Sequence, residues 1–137
     1  MSAKKVFIAG ILGGLAIFVV WLIAGIIVQA ARLYDVMSLG GMRAANDPIM
    51  LLFFLHPWVT GFAVAIAYSQ FGKAFEGSAT KKGVKFGLIM WLVSNIPSSF
   101  VIYTSMSYPV AFVVVSVAGS FVYMVTAGVV IAKVMEK

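Results

Sequence analysis

VFIAGILGGLAIFVVWLIAGIIVQAA, residues 6–31, runs without a charged side chain and carries a single amide, Gln29, near its end. At a rise of about 1.5 Å per residue, roughly 20 such residues cross a hydrocarbon core near 30 Å thick, so the stretch reads as a transmembrane helix. It is too long, and too rich in glycine near its start, to resemble a removable signal peptide. Three further apolar runs follow it at residues 48–71, 84–103 and 109–134. The expected fold is therefore an all-α integral membrane protein: one four-transmembrane-helix bundle covering residues 1–137.

Composition agrees with that reading. Of 137 residues, 63% are hydrophobic and 10% charged, against roughly 45–50% and 25% in soluble domains, and mean hydropathy is +1.09. A water-soluble domain of this length buries only about two-thirds of its unfolded surface, too little to hide so much apolar material. Lipid must cover the rest.

Lysine and arginine placement gives the orientation. Lys4, Lys5, Lys73, Lys81, Lys82, Lys85, Lys133 and Lys137 fall on one side of the four expected spans, and only Arg32 and Arg43 on the other. By the positive-inside bias, eight against two places both termini in the cytoplasm, N-in and C-in, in the cytoplasmic membrane. The net charge of +6 is thus spent on topology rather than on a basic stripe for nucleic acid, and no nucleic-acid partner is expected. Lys73, Lys81, Lys82 and Lys85 are candidates to hold anionic lipid head groups.

Several chemistries are absent from the residue inventory. The chain has no cysteine and one histidine, His56, and its four acids, Asp35, Asp47, Glu76 and Glu136, lie outside the expected spans. Thiol chemistry is excluded, a proton-coupled carrier would lack its membrane-embedded carboxylate, and no nucleophile, base and orienting group can be assembled. No enzyme activity, cofactor or metal site is expected.

Between helices, lipid tails are as apolar as leucine, so association rests on close packing and on polar groups with no other partner. Small residues four apart offer packing faces: Gly10 and Gly14, Gly61 and Ala65, Gly83 and Gly87, Ser116 and Ser120, Gly128 and Ala132. Trp21, Trp58 and Trp91 fall near mid-bilayer by residue count, where an indole N–H facing lipid finds no acceptor, so their rings are expected to point inward. Tyr34, Tyr103 and Tyr108 fall at the membrane surface.

Two prolines interrupt the runs, Pro57 freeing the carbonyl of Phe53 and Pro97 that of Val93. Counting inward from Pro48 and from Tyr103 places His56 and Asn95 each about 12 Å below the same boundary. With Ser94, Ser98 and Ser116 they form an expected intramembrane polar layer, either locking the bundle or lining a shallow cavity. In the first connection, Arg32 with Asp35 and Arg43 with Asp47 have ion-pair spacing, and Asn46-Asp47-Pro48 reads as the start of the second helix.

Arg43 and Asn46 resemble a fragment of the Arg-and-Asn signature of the small four-helix membrane glutathione-transferase and eicosanoid-synthase family. The spacing differs by one, and the acid and the helix-3 arginine that complete the signature are missing; no family is assigned. The expected function is an assembling accessory or structural subunit of a homo-oligomer or larger membrane complex. The alternative is a small channel or transporter built around His56 and Asn95.

Overall fold

A computed structural model of the chain describes residues 2–44 and 46–137. No strand occurs among them; the order is α1 (Ala3–Ala30), α2 (Met50–Phe53), α3 (His56–Phe71), α4 (Ala79–Met90), a π turn (Trp91–Asn95), α5 (Ile96–Ser105) and α6 (Val110–Met135). Among the described residues three stretches are long and apolar enough to cross a membrane: Ala3–Ala30, Ala79–Ser105 and Val110–Met135.

α1 starts where a side chain replaces a missing backbone partner: the Ser2 hydroxyl accepts from the Lys5 N–H at 3.4 Å. It ends in a reversal in which the Leu33 N–H bonds the Val28 carbonyl at 3.2 Å and the Arg32 N–H that of Gln29 at 3.1 Å. Arg32 takes φ +49° to make that turn, a left-handed conformation in which glycine is usual. Arg32→Gly should therefore stabilise the fold by about 0.5–1 kcal/mol, the relieved side-chain strain less the extra chain entropy of glycine. Thermal melting in detergent, followed by circular dichroism, measures it.

The turn also removes the expected Arg32–Asp35 ion pair, which needs helical spacing that the chain has already left. Asp35 instead caps the following single-turn helix, Val36–Ser38, accepting from the Met37 N–H at 3.0 Å. Arg43 and Asp47 do pair, at 2.9 Å.

The second apolar run departs from the expected continuous span. Asp47 accepts from the Ile49 N–H at 2.9 Å, but α2 begins only at Met50 and lasts four residues. The chain leaves the α-helix at Phe54 and Leu55 and restarts at His56, so that Pro57 occupies the first turn of α3. There its missing N–H costs nothing, whereas inside an unbroken helix it would leave the Phe53 carbonyl unbonded and collide with it. α3, with 16 residues, is about 24 Å long, short of a full hydrocarbon core. At Pro97 the same problem has another solution: one widened turn, Trp91–Asn95, precedes α5, and Ala79–Ser105 stays continuous over 27 residues.

α1 packs along both α3 and α6, and α6 along α4. Glycine permits the closest approaches. Gly61 of α3 lies against the backbone of Gly10 and Gly14, while Gly83 and Gly87 of α4 lie against the α6 backbone at Met124, Val125, Gly128 and Val129. Ala65, Ala132 and Ser120 are buried beside these contacts, and Ser116 is half-buried.

The buried core gathers towards the end that carries the lysines. Ala9 and Ile17 of α1, Val64 and Tyr68 of α3, Phe86 of α4, and Ala127 and Ile131 of α6 all belong to it. Towards the opposite end the helices lose their partners. Ile23, Ile26 and Ile27 of α1, Phe100 and Val101 of α5, and Val110 and Val114 of α6 are exposed, Ile26 and Phe100 each 66%. Side chains of this kind in water would cost about 1.5–3 kcal/mol each relative to burial.

Candidate functional site

Polar side chains within the apolar segments form two separate groups. At the break before α3, the His56 ring lies against Phe53 and Trp21, with centroids 5.2 and 5.6 Å away, and its Nδ1 sits 2.9 Å from the Phe53 carbonyl oxygen. That is the carbonyl Pro57 cannot serve. A carbonyl oxygen only accepts, so Nδ1 is the donor in this contact.

The second group joins the π turn to α6. Tyr123 donates to Asn95 Oδ1 at 3.0 Å, Asn95 Nδ2 donates to Ser94 Oγ at 3.0 Å, and Ser94 Oγ donates to the Met90 carbonyl. Ser98 Oγ donates to the Ser94 carbonyl at 2.7 Å. One turn nearer the basic end, Trp91 Nε1 donates to the Val117 carbonyl and to Ser120 Oγ, both at 3.1 Å. A wider turn leaves carbonyls poorly served along its own helix, and the Ser94 and Ser98 hydroxyls occupy two of them, at Met90 and Ser94.

His56 and Asn95 do not share a level. Gly61 facing Gly10 and Gly14, Gly13 facing Ile131, and Gly87 facing Met124 and Val125 set the helix registers. By these, His56 falls opposite about Ala16 of α1 and Asn95 opposite about Ile27, roughly 16 Å apart along the axis. The equal depths expected from counting assumed that residues 48–71 form one helix starting at the surface. With the break at Phe54 and Leu55, α3 begins deeper. Ser116 takes no part in either group of bonds; Ser94, Asn95 and Ser98 do belong together.

The tryptophans are half-buried. Trp58 packs against Gly14 and Phe18, Trp21 against Phe53, Phe54 and His56, and Trp91 has its two acceptors. Near the opposite end, Tyr108 donates to the Gly40 carbonyl at 3.1 Å and Tyr34 packs edge-on against Phe112.

A third polar cluster, at the basic end, left no sequence signal, because its members are far apart along the chain. Tyr68, 1% exposed, donates its hydroxyl to Glu136 Oε1 at 2.7 Å, and Lys82 Nζ lies 3.1 Å from the same oxygen. α3, α4 and the end of α6 are thereby tied through one carboxylate. Beside it is a cavity of about 330 Å³ lined by Tyr68, Gly72, Lys73, Lys82, Met135 and Glu136. Of the four lysines proposed for head groups, Lys73 and Lys82 line this cavity; Lys81 and Lys85 are exposed.

The Tyr68 hydroxyl, and then Lys82, hold the Glu136 carboxyl below its ordinary value of 4.5. The folded state therefore binds fewer protons here than the unfolded chain, and stability rises with pH through this range. The contribution is complete above the ordinary carboxylate range and is lost as pH falls through the lowered value. Unfolding by SDS between pH 3 and 7 should show this loss, and Glu136→Gln should remove that part of the pH dependence.

The chain matches no protein-family model, no curated protein sequence and no solved structure.

Proposed function

We propose that this chain is an integral membrane protein that crosses the cytoplasmic membrane four times, with both termini cytoplasmic, and serves as a small assembling subunit of a homo-oligomer or larger membrane complex. In this reading α2 and α3 together complete the second crossing, and the eight-to-two lysine and arginine bias sets the orientation.

The observation that carries the subunit reading is the state of Gly25 and Gly119. Both are helical, on α1 and α6, and a Cβ on either would meet nothing within 4 Å. Glycine inside a helix costs about 1 kcal/mol relative to alanine, and at the other α-helical glycines a neighbouring helix in close contact accounts for it. Here, among the described residues, no atom lies within contact distance of such a Cβ. The two lie at similar levels in the half where α1, α5 and α6 are least covered, and smooth backbone of this kind suits a helix from another subunit.

The channel or transporter alternative has less support, because its polar groups bond to one another and to backbone carbonyls at two levels. The mass and composition of the native particle extracted in mild detergent test the proposal. An oligomer or a complex is the expected result, weakened by Gly25→Leu or Gly119→Leu. A lone monomer, with no partner crosslinked in native membranes, would overturn it.

A further inference from the structure

We infer that the cavity between α3, α4 and the end of α6 is a binding site for a phosphate group, the chemistry shared by an anionic phospholipid head group and by free phosphate. The inference rests on the membrane reading for its location, at the basic ends of the helices, where a lipid's phosphate would lie.

The cavity wall carries more positive than negative charge. Lys73 and Lys82 face it and Glu136 is the acid present. Glu136 already has two partners on Oε1, the Tyr68 hydroxyl and Lys82, so one carboxylate is set against two ammonium groups. Lys73 has no ion-pair partner among the described residues. A basic pocket between helices, at the membrane surface on the lysine-rich side, is the setting in which anionic head groups bind.

Shape supports the same ligand. Tyr68 packs edge-on against Phe86, with ring centroids 5.1 Å apart, and closes the cavity towards the core. Gly72 lies so close to the Tyr68 ring that a side chain there would displace it. Lys82 lies at the cavity wall with Glu136 competing for its charge. Lys73 is exposed and free to close on the ligand.

The test uses the full-length protein in lipid nanodiscs and in mild detergent. Phosphatidylglycerol, phosphatidylcholine and inorganic phosphate are the probes, and bound lipid is counted by native mass spectrometry. One phosphatidylglycerol should be retained per chain in preference to phosphatidylcholine. Lys73→Gln and Lys82→Gln should each weaken retention about fivefold. Glu136→Gln should strengthen it, because Lys82 is released, even as the bundle loosens. Lys85→Gln, which removes the same charge outside the cavity, should change it little. Displacement of the lipid by millimolar inorganic phosphate would keep the site and make the free anion its ligand. Equal effects of Lys85→Gln and Lys73→Gln, or no preference between the two lipids, would overturn the site and leave only a general basic surface. Failure of the protein to enter nanodiscs at all would overturn the membrane reading beneath it.

Discussion

Replacing Gly61 by alanine is expected to destabilise the bundle by about 1–3 kcal/mol, the usual cost of forcing one methyl group into filled space. An alanine at an unhindered helical glycine would instead gain about 1 kcal/mol, so the sign of the change is itself informative. The new methyl would meet the backbone of α1 at Gly10 and Gly14, and backbone cannot move aside without separating the two helices. Gly10→Ala supplies the internal comparison. Its methyl would first meet the ring of Phe62, which is half-buried and able to swing outwards, so its cost should be smaller. SDS-induced unfolding in mixed micelles ranks the two. If Gly61→Ala is as stable as the parent, α1 and α3 do not touch as described.

Phe86→Ala should be the largest single loss at the basic end. Phe86 is 2% exposed and lies edge-on to Tyr68 and to Phe75, with centroids 5.1 and 5.9 Å away. In a soluble protein such a truncation costs about 3–5 kcal/mol, combining lost transfer energy with the cavity left behind. In a bilayer the unfolded helices are also surrounded by hydrocarbon, so most of the transfer part disappears. What remains is the cavity term, at about 24 cal/mol per Å³ of void roughly 2 kcal/mol for a ring-sized hole. Phe86→Leu should lose less than half as much. A measured loss well above 3 kcal/mol would mean that water, not lipid, surrounds this end of the unfolded chain. The Tyr68–Glu136 bond is expected to weaken with it, visible as a smaller acid dependence of unfolding.

Much of the helical framework was legible because membrane-spanning helices announce themselves by long apolar runs. Three of the four expected spans lie close to long helices: residues 6–31, 84–103 and 109–134 against Ala3–Ala30, Ala79–Ser105 and Val110–Met135. Pro57 and Pro97 were both recognisable as interruptions. What each would do was not, because a proline has more than one remedy. The chain before Pro57 abandons the helix and lets His56 cap the freed carbonyl; the chain before Pro97 adds a residue to one turn and keeps going. The choice depends on what packs alongside. α6 lies against the widened turn and supplies Tyr123 and Ser120, whereas Trp21 and Phe53 fill the space around His56.

Depth was legible only while each run was one helix, which is why Asn95 fell with its serine neighbours but His56 did not fall with Asn95. The Tyr68–Glu136–Lys82 cluster was invisible for another reason. Tyr68 and Glu136 stand 68 positions apart, and no local spacing records such a meeting.

From the order of its residues alone the chain determined that it is helical, where the long apolar stretches lie and which of their ends carry the positive charge, since these follow from backbone hydrogen bonding and from solvation of each segment by itself. Which glycines meet, where the second run breaks, and which polar groups share bonds were decided only when the helices packed. Those outcomes depend on contacts between distant segments at van der Waals range, where a displacement of one methyl group separates a fit from a clash.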